Sequence, residues 1–94
     1  MSNLIQQIEK GTEIAGNQRA FAERIGVPPT HISGFKKGRP CSARTRVLIA
    51  EETEDDIATA ALEGLYETAK RTGDTTYASA LKKALARIHG FAES

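Results

Sequence analysis

The stretch from Asn17 to Gly38, which reads NQRAFAERIGVPPTHISGFKKG, constrains the fold of this chain more than any other part of it. Its apolar residues fall at helical spacing on both sides of a short turn; they are Phe21, Ala22, Ile25, Val27, Ile32 and Phe35. That spacing allows two short helices to bury their inner faces against each other across the turn. We therefore predict helices over about residues 18–25 and 29–37.

The ends of these two helices carry strong local signals. Asn17 is a good N-cap for the first helix, and Gly26 can adopt the positive φ that a tight turn between helices usually needs. Pro29 suits the first position of the second helix, because the amide hydrogen that it lacks would be unpaired there anyway. Pro28 precedes a proline and is therefore pushed out of the α region, so that the second helix cannot begin earlier. Gly38 is expected to end it.

The segments on either side of this pair are also predicted to be helical. A first helix is expected from about Ser2, a possible N-cap, to Ala15, with Gly11 weakening it or ending it early. Ser42 caps a fourth helix that reaches about residue 52. Thr53 and Asp56 resemble a capping box and predict a break between helices four and five. Because no glycine or proline enforces that break, one continuous helix remains an alternative.

Two further helices complete an all-α fold of six helices and no strands. The fifth is predicted to run to about Arg71, with two adjacent stripes, Ile57, Ala61, Leu65 and Thr68 beside Ala58, Leu62, Tyr66 and Ala69. The sixth, about residues 75–88, has the cleanest amphipathic pattern of the chain and is expected to end at Gly90. We therefore predict a helix-turn-helix domain over residues 1–56 and a C-terminal helical hairpin over residues 57–94.

The net charge of +1 conceals a strong separation of charge along the chain. Residues 17–46 hold seven Lys and Arg against the single Glu23, whereas residues 47–67 hold seven Asp and Glu and no basic residue. A local positive field attracts a polyanion even when the whole molecule is nearly neutral. The basic segment coincides with the two-helix motif, so the acidic segment is expected to face away from a bound nucleic acid. The alternative is that both segments are ordinary solvated helix faces.

Composition and motifs point away from several other classes of protein. The N-terminus does not resemble a signal peptide, and no stretch approaches the roughly 20 apolar residues of a membrane span, so we expect a cytoplasmic protein without a membrane partner. The two histidines and Cys41 lack the spacing of metal ligands. Cys41 is expected to be a small loop residue, with a redox switch as the alternative. Because no phosphate loop or nucleophile motif is present, we expect no cofactor, no small-molecule ligand and no enzymatic activity.

The outer side of the third helix is polar. Thr30, His31, Ser33, Gly34 and Lys37 are predicted to lie there. A short polar helix presented by a small scaffold fits the major groove of DNA. His31 is expected to contact a base or a phosphate, unless it is an ordinary exposed histidine.

At these positions the chain resembles the helix-turn-helix of the Cro/CI-type (XRE-like) DNA-binding family, over about residues 4–56. The resemblance rests on Gln18, Ala22, Ile25-Gly26-Val27, Ile32-Ser33, Phe35 and Gly38. It implies base-reading positions at Pro29, Thr30, His31, Ser33 and Gly34. It also implies phosphate contacts from Asn17, Gln18, Lys36, Lys37, Arg39 and Arg44.

The chain departs from the family pattern at two of the base-reading positions. The family often has a polar residue, frequently glutamine, where this chain has Pro29, which can only pack on a thymine methyl. Gly34 replaces a larger polar residue and costs about 1 kcal/mol of helix stability relative to alanine. Sequence preference is therefore expected to depend on few base contacts, or on the shape of the DNA.

The hairpin is expected to build a homodimer or a higher homo-oligomer. Its predicted dimerisation residues are Leu62, Leu65, Tyr66, Tyr77, Leu81, Leu85 and Ile88. Two copies would place two recognition helices about 34 Å apart, one turn of DNA. The resemblance then implies a phage- or prophage-type repressor that binds double-stranded DNA at an inverted repeat, in a bacterial cytoplasm and nucleoid. The alternative is an antitoxin-like or adaptor module whose hairpin binds a partner protein.

Overall fold

Six α-helices make up the part of the chain that the computed structural model describes, which is the backbone of residues 4–93 and the side chains of residues 4–88. They are α1 (Leu4–Ala15), α2 (Gln18–Ile25), α3 (Pro29–Lys36), α4 (Ala43–Thr53), α5 (Ile57–Thr72) and α6 (Thr75–Glu93). No strand occurs within residues 4–93, so the predicted all-α class is confirmed. The predicted N-cap Ser2 lies outside the described residues.

The helices pack into a four-helix part and a hairpin. In the first part, α1 lies against α2, α3 and α4, and α2 also contacts α3 and α4. The core between these helices contains Ile8, Phe21, Ala22, Ile25, Ile32, Cys41 and Ile49. A second, smaller cluster joins α5 and α6 through Ala69, Ala78 and Leu81. Within the described residues α6 packs on α5 alone, and α5 connects the hairpin to the rest of the molecule through α4.

The predicted turn between α2 and α3 is confirmed by its local geometry. Asn17 caps α2, because its Oδ1 accepts a hydrogen bond from the Ala20 amide at 2.7 Å. Gly26 has a φ of 73° and ends the helix in the left-handed region. The Val27 amide then donates to the Ala22 carbonyl at 3.0 Å, which closes the turn before α3 begins at Pro29.

The break between α4 and α5 is confirmed, but the predicted capping box is wrong. Thr53 is the last residue of α4 rather than a cap of α5, and its buried hydroxyl donates back to the Ile49 carbonyl at 3.0 Å. Glu54 then takes a φ of 58°, a left-handed conformation usually left to glycine. Asp56 is the actual N-cap of α5, because its Oδ1 accepts a hydrogen bond from the Ala58 amide at 3.1 Å.

Two glycines inside helices are close-packing positions. Gly11 does not end α1, which continues to the predicted Ala15, and the Phe21 ring lies directly against Gly11. Gly64 of α5 lies directly against the backbone of Ala43 at the start of α4. Because a side chain at either position would collide with its neighbour, these glycines let α1 approach α2 and let α4 approach α5.

The two predicted stripes of α5 are buried or half-buried except at their first residues. Ile57 is 44% exposed and Ala58 is also exposed, because both lie in the first turn of the helix on its outer side. The fully buried residues of α5 are Thr59, Ala60, Glu63, Gly64 and Ala69, of which Ala69 belongs to a predicted stripe. The bulky residues of the predicted stripes, Leu62, Leu65 and Tyr66, are half-buried against the hairpin cluster. Apart from Glu63, small residues therefore occupy the most closely packed positions of this helix.

The C-terminal helix is longer than predicted. It does not end at Gly90 but continues to Glu93. Glycine lowers helix stability by about 1 kcal/mol without preventing a helix, and nothing else in this segment stops it. Of the helices described, none combines the length and the apolar character that a membrane span requires.

Cys41 lies in the loop before α4, as predicted, but it belongs to the core. Its residue is 8% exposed and packs among the apolar side chains of α1–α4. Burial raises the pKa of the Cys41 thiol from 9.0 to about 11, although the nearby Arg46 acts in the opposite direction. A thiol that remains protonated at neutral pH is a poor nucleophile, which weighs against a redox role.

We expect the protein to lose stability as the pH rises from about 9 to about 11, since the Cys41 thiol ionises in the unfolded chain first. Over that interval the folded state binds the proton that the unfolded state has released, so the free energy of unfolding falls with pH, by about 3 kcal/mol in all. Urea denaturation at several pH values measures this slope. Cys41→Ala should remove it, and an unchanged slope in that variant would assign the effect to other groups.

Candidate nucleic-acid interface

Helix α3 has one buried side and one exposed side. Ile32 is fully buried in the core of the four-helix part, and Phe35 packs beside it. Pro29, Thr30 and His31 are exposed on the outer side. Among the described residues neither α5 nor α6 contacts α3, so the described part of the hairpin does not cover these residues. The predicted base-reading positions Pro29, Thr30 and His31 are therefore accessible to a ligand.

A hydrogen bond that the sequence did not reveal connects the two helices of the motif. Gln18, the first residue of α2, donates from its Nε2 to Ser33 Oγ on α3 at 2.8 Å. The bond fixes both side chains, which are predicted to contact DNA, and leaves the Ser33 hydroxyl hydrogen able to point outward. Because the Gln18 amide group has a second N–H, Gln18 can still donate to a phosphate while it keeps this bond.

His31 is held in place by an aromatic neighbour. Its imidazole meets the Phe35 ring edge to face, with centroids 6.3 Å apart and planes inclined at 64°. Aromatic pairs favour this arrangement. The half-buried Phe35 thus limits how the exposed His31 ring can turn, and a ring with fewer orientations loses less entropy when it binds.

Gly34 lies on the outer side of α3 but is buried. Its cover is the side chain of Arg39, since a Cβ added at Gly34 would lie 2.8 Å from Arg39 Cδ and 3.5 Å from Cγ and Nε. The chain reaches this position because Gly38 adopts a φ of 96° and the Arg39 amide donates to the Gly34 carbonyl at 2.9 Å. Gly34 itself therefore presents no open surface to a ligand.

Four cations between the last residue of α3 and the first turn of α4 have no carboxylate partner among the described residues. Lys36, Lys37, Arg39 and Arg44 are all exposed, and within the part of the chain described here no carboxylate lies within 4.0 Å of any of them. These side chains can therefore interact with an external anion without first breaking an ion pair. All four belong to the predicted phosphate-binding set. Lys36 is the last residue of α3, and the other three lie between it and the first turn of α4.

Two other cations of the basic segment are already paired. Arg19 lies 3.6 Å from Glu23 on the same helix, and Arg24 lies 3.7 Å from Glu52 of α4. Part of the acidic segment thus lies beside α2 and offsets some of its charge. The positive field that the charge pattern predicts for residues 17–46 is consequently concentrated in the residues that follow α3.

Most of the predicted dimerisation residues are used within the hairpin itself. Leu62, Leu65 and Tyr66 pack against the cluster that contains Leu81, and Leu85 is 8% exposed. Tyr77 and Ile88, at 45% and 43% exposed, remain available at the two ends of the described part of α6. Any partner of the hairpin would therefore meet a narrower apolar surface than the sequence suggested.

No group of three His, Cys, Asp or Glu side chains among the residues described is arranged to bind a metal ion. Comparison of the chain with protein-family models, with curated proteins and with solved structures finds no match. A functional assignment must therefore rest on the chain's own residues and on the surface around α3.

Proposed function

We propose that this protein is a DNA-binding transcriptional regulator of the Cro/CI type, without enzymatic activity. It would place α3 in the major groove of double-stranded DNA and bind an inverted repeat as a homodimer. The observation that carries the proposal is a combination on one helix: Ile32 anchors the inner side in the core, while Thr30 and His31 are exposed on the outer side. A helix that is anchored on one side and exposes polar side chains on the other can read the edges of bases in the major groove.

The distribution of charge supports the same role. Lys36, Lys37, Arg39 and Arg44 are exposed beside this helix, and cations without acidic partners can replace the counterions around DNA phosphates. Helix α3 itself contains no Asp or Glu that would repel the backbone. As a small repressor, the protein would act by occupying its operator and excluding polymerase.

A partner-binding role has one specific observation in its favour. The described part of α6 packs on a single helix and exposes Tyr77 and Ile88. An antitoxin-like or adaptor protein could use this surface to bind a different protein, whereas a repressor would use it to bind a second copy. The basic residues after α3 favour the regulator, because a protein-interaction module has no evident need for them.

Binding to a random-sequence duplex, measured by fluorescence anisotropy against salt, tests the proposal. Four phosphate contacts in each protomer predict an affinity loss on the order of 100-fold for each protomer bound between 50 and 200 mM salt. Absence of binding at low salt would reject the DNA-binding role and favour the partner-binding one. Arg19→Ala is a matched control, since Arg19 is already paired with Glu23 and should have a smaller effect than Lys37→Ala.

Single variants distinguish the two kinds of contact once a preferred sequence is known. Lys37→Ala should weaken binding to all sequences about equally and lower the salt slope by about one unit. Thr30→Ala or His31→Ala should instead reduce the preference for the operator, by about 1–3 kcal/mol for a lost base contact. Equal losses on specific and random DNA in all three variants would contradict the assignment of Thr30 and His31 as base-reading residues.

A further inference from the structure

We infer that Arg39 reads a base from the position that Gly34 leaves empty on α3. This inference rests on the proposed DNA-binding function and changes the role of one residue, because Arg39 was expected to contact a phosphate. Its chemistry selects the target: a guanidinium can donate two parallel hydrogen bonds to O6 and N7 of guanine in the major groove. The inferred specificity of this position is therefore for a guanine.

Gly34 lies on the outer side of α3, at the centre of the exposed polar residues. On a helix, residues three and four positions apart are neighbours, so Gly34 lies beside Thr30 and His31, both of which are exposed. A side chain at position 34 would thus project from the same outer surface as these two residues. Glycine supplies none, and the surface at the centre of that face would otherwise be bare backbone.

The side chain of Arg39 runs back across Gly34. Its Cδ would lie 2.8 Å, and its Nε 3.5 Å, from a Cβ at Gly34, so its side chain occupies the space that a residue at position 34 would fill. The left-handed Gly38 and the hydrogen bond from the Arg39 amide to the Gly34 carbonyl hold the backbone at the start of this path. Arg39 therefore folds back over α3 and does not extend away from it.

The guanidinium of Arg39 is available to a ligand. Arg39 remains exposed, and no carboxylate in the described part of the molecule lies within 4.0 Å of it. Its stem is packed on Gly34, while its guanidinium has no carboxylate partner among the described residues. Because an arginine side chain loses up to about 2 kcal/mol of rotamer entropy on ordering, a stem already held by packing favours one bidentate contact over several loose phosphate contacts.

The experiment is a selection of preferred sequences from a randomised duplex library with the full-length chain. The wild type should select a guanine at one base pair in each half-site. Arg39→Ala should reduce the preference for that guanine by roughly 10-fold or more and leave the remaining preferred bases unchanged. Lys36→Ala, a neighbouring exposed cation, is the matched control and should weaken binding without changing any base preference.

Gly34→Ala gives a second, independent test, because it leaves Arg39 itself intact. The added methyl group would displace the Arg39 stem, so this variant should lose the same guanine preference as Arg39→Ala. The double variant should be no worse at that base pair than Arg39→Ala alone, since both changes remove one interaction. A thermal melt of each variant by circular dichroism checks the fold, and Gly34→Ala should melt no lower than the wild type.

The possible results distinguish a base-reading role of Arg39 from the proposed DNA-binding function of the whole protein. If the wild type selects a sequence but Arg39→Ala preserves it and weakens all binding equally, Arg39 contacts phosphate and the inference is wrong while the regulator remains. If Gly34→Ala leaves the guanine preference intact, the packing of Arg39 on Gly34 does not create specificity. If the wild type binds no duplex at low salt, the proposed function itself fails.

Discussion

Replacement of Phe21 by alanine is expected to lower the free energy of unfolding by about 3–5 kcal/mol. The Phe21 ring is 1% exposed, is among the largest fully buried side chains, and fills the contact between α1 and α2 over Gly11. Its removal leaves a cavity that rigid helices on both sides cannot close. Since small domains are stable by only about 5–15 kcal/mol, the variant should be close to unfolding at 37 °C.

Phe35→Ala is the matched control for this change. Phe35 undergoes the same truncation but is only partly buried at the edge of the same core. It should cost clearly less, about 1–2 kcal/mol, because part of its surface is already in contact with water. Urea denaturation followed by circular dichroism compares the two. Equal losses would mean that Phe21 does not hold α1 against α2 in the way its burial indicates.

The ends of α2 and α3 could be predicted from the sequence because their causes are local. Asn17 caps the helix that follows it, and Gly26 supplies the turn whatever the rest of the chain does. Pro29 begins α3 because of its own ring. Signals of this kind act over three or four residues, so a single sequence contains all the information that they need.

The side-chain contacts of the site could not be predicted in the same way. The hydrogen bond from Gln18 to Ser33 joins residues 15 positions apart, and the pairing of Arg24 with Glu52 joins two helices. Each depends on how helices cross, which a helical pattern does not specify. The number of basic residues in residues 17–46 follows from the sequence, but the sequence does not show that Arg19 and Arg24 of α2 are paired. The positive charge available around α2 is therefore smaller than the sequence predicts.

The glycines show the same limit. Gly11 and Gly34 each look like a weak point of a helix when read from the sequence. In the structure Gly11 accepts the Phe21 ring and Gly34 accepts the Arg39 stem. A sequence shows that a side chain is absent, but only the packed helices show which neighbour occupies the space. At Gly34 that neighbour is Arg39, so an arginine lies on the outer surface of α3 at a position where the sequence shows only a glycine.

Gly64 is the position where a larger residue should most disturb the attachment of the hairpin. A carbon added there would lie 2.9 Å from both the backbone nitrogen and the Cβ of Ala43, and closer still to its Cα. Backbone atoms of a helix cannot rotate away, so Gly64→Leu must push α5 from α4. We expect it to lower the free energy of unfolding by about 3 kcal/mol, measured by urea denaturation. Ala58→Leu, on the exposed side of α5, should change stability by less than about 0.5 kcal/mol.

Gly64→Ala and Gly34→Ala should change the stability of the protein in opposite directions, because the added methyl group meets backbone at one position and a flexible side chain at the other. Both changes add one methyl group within a helix and gain about 1 kcal/mol of helix propensity. At Gly34 the obstacle is the flexible end of Arg39, which can move, so stability should be unchanged or higher. At Gly64 the obstacle is the backbone of Ala43, so stability should fall by roughly 1 kcal/mol despite the gain in propensity. If Gly64→Ala stabilised the protein as much as Gly34→Ala, the contact between α4 and α5 would be looser than these distances require.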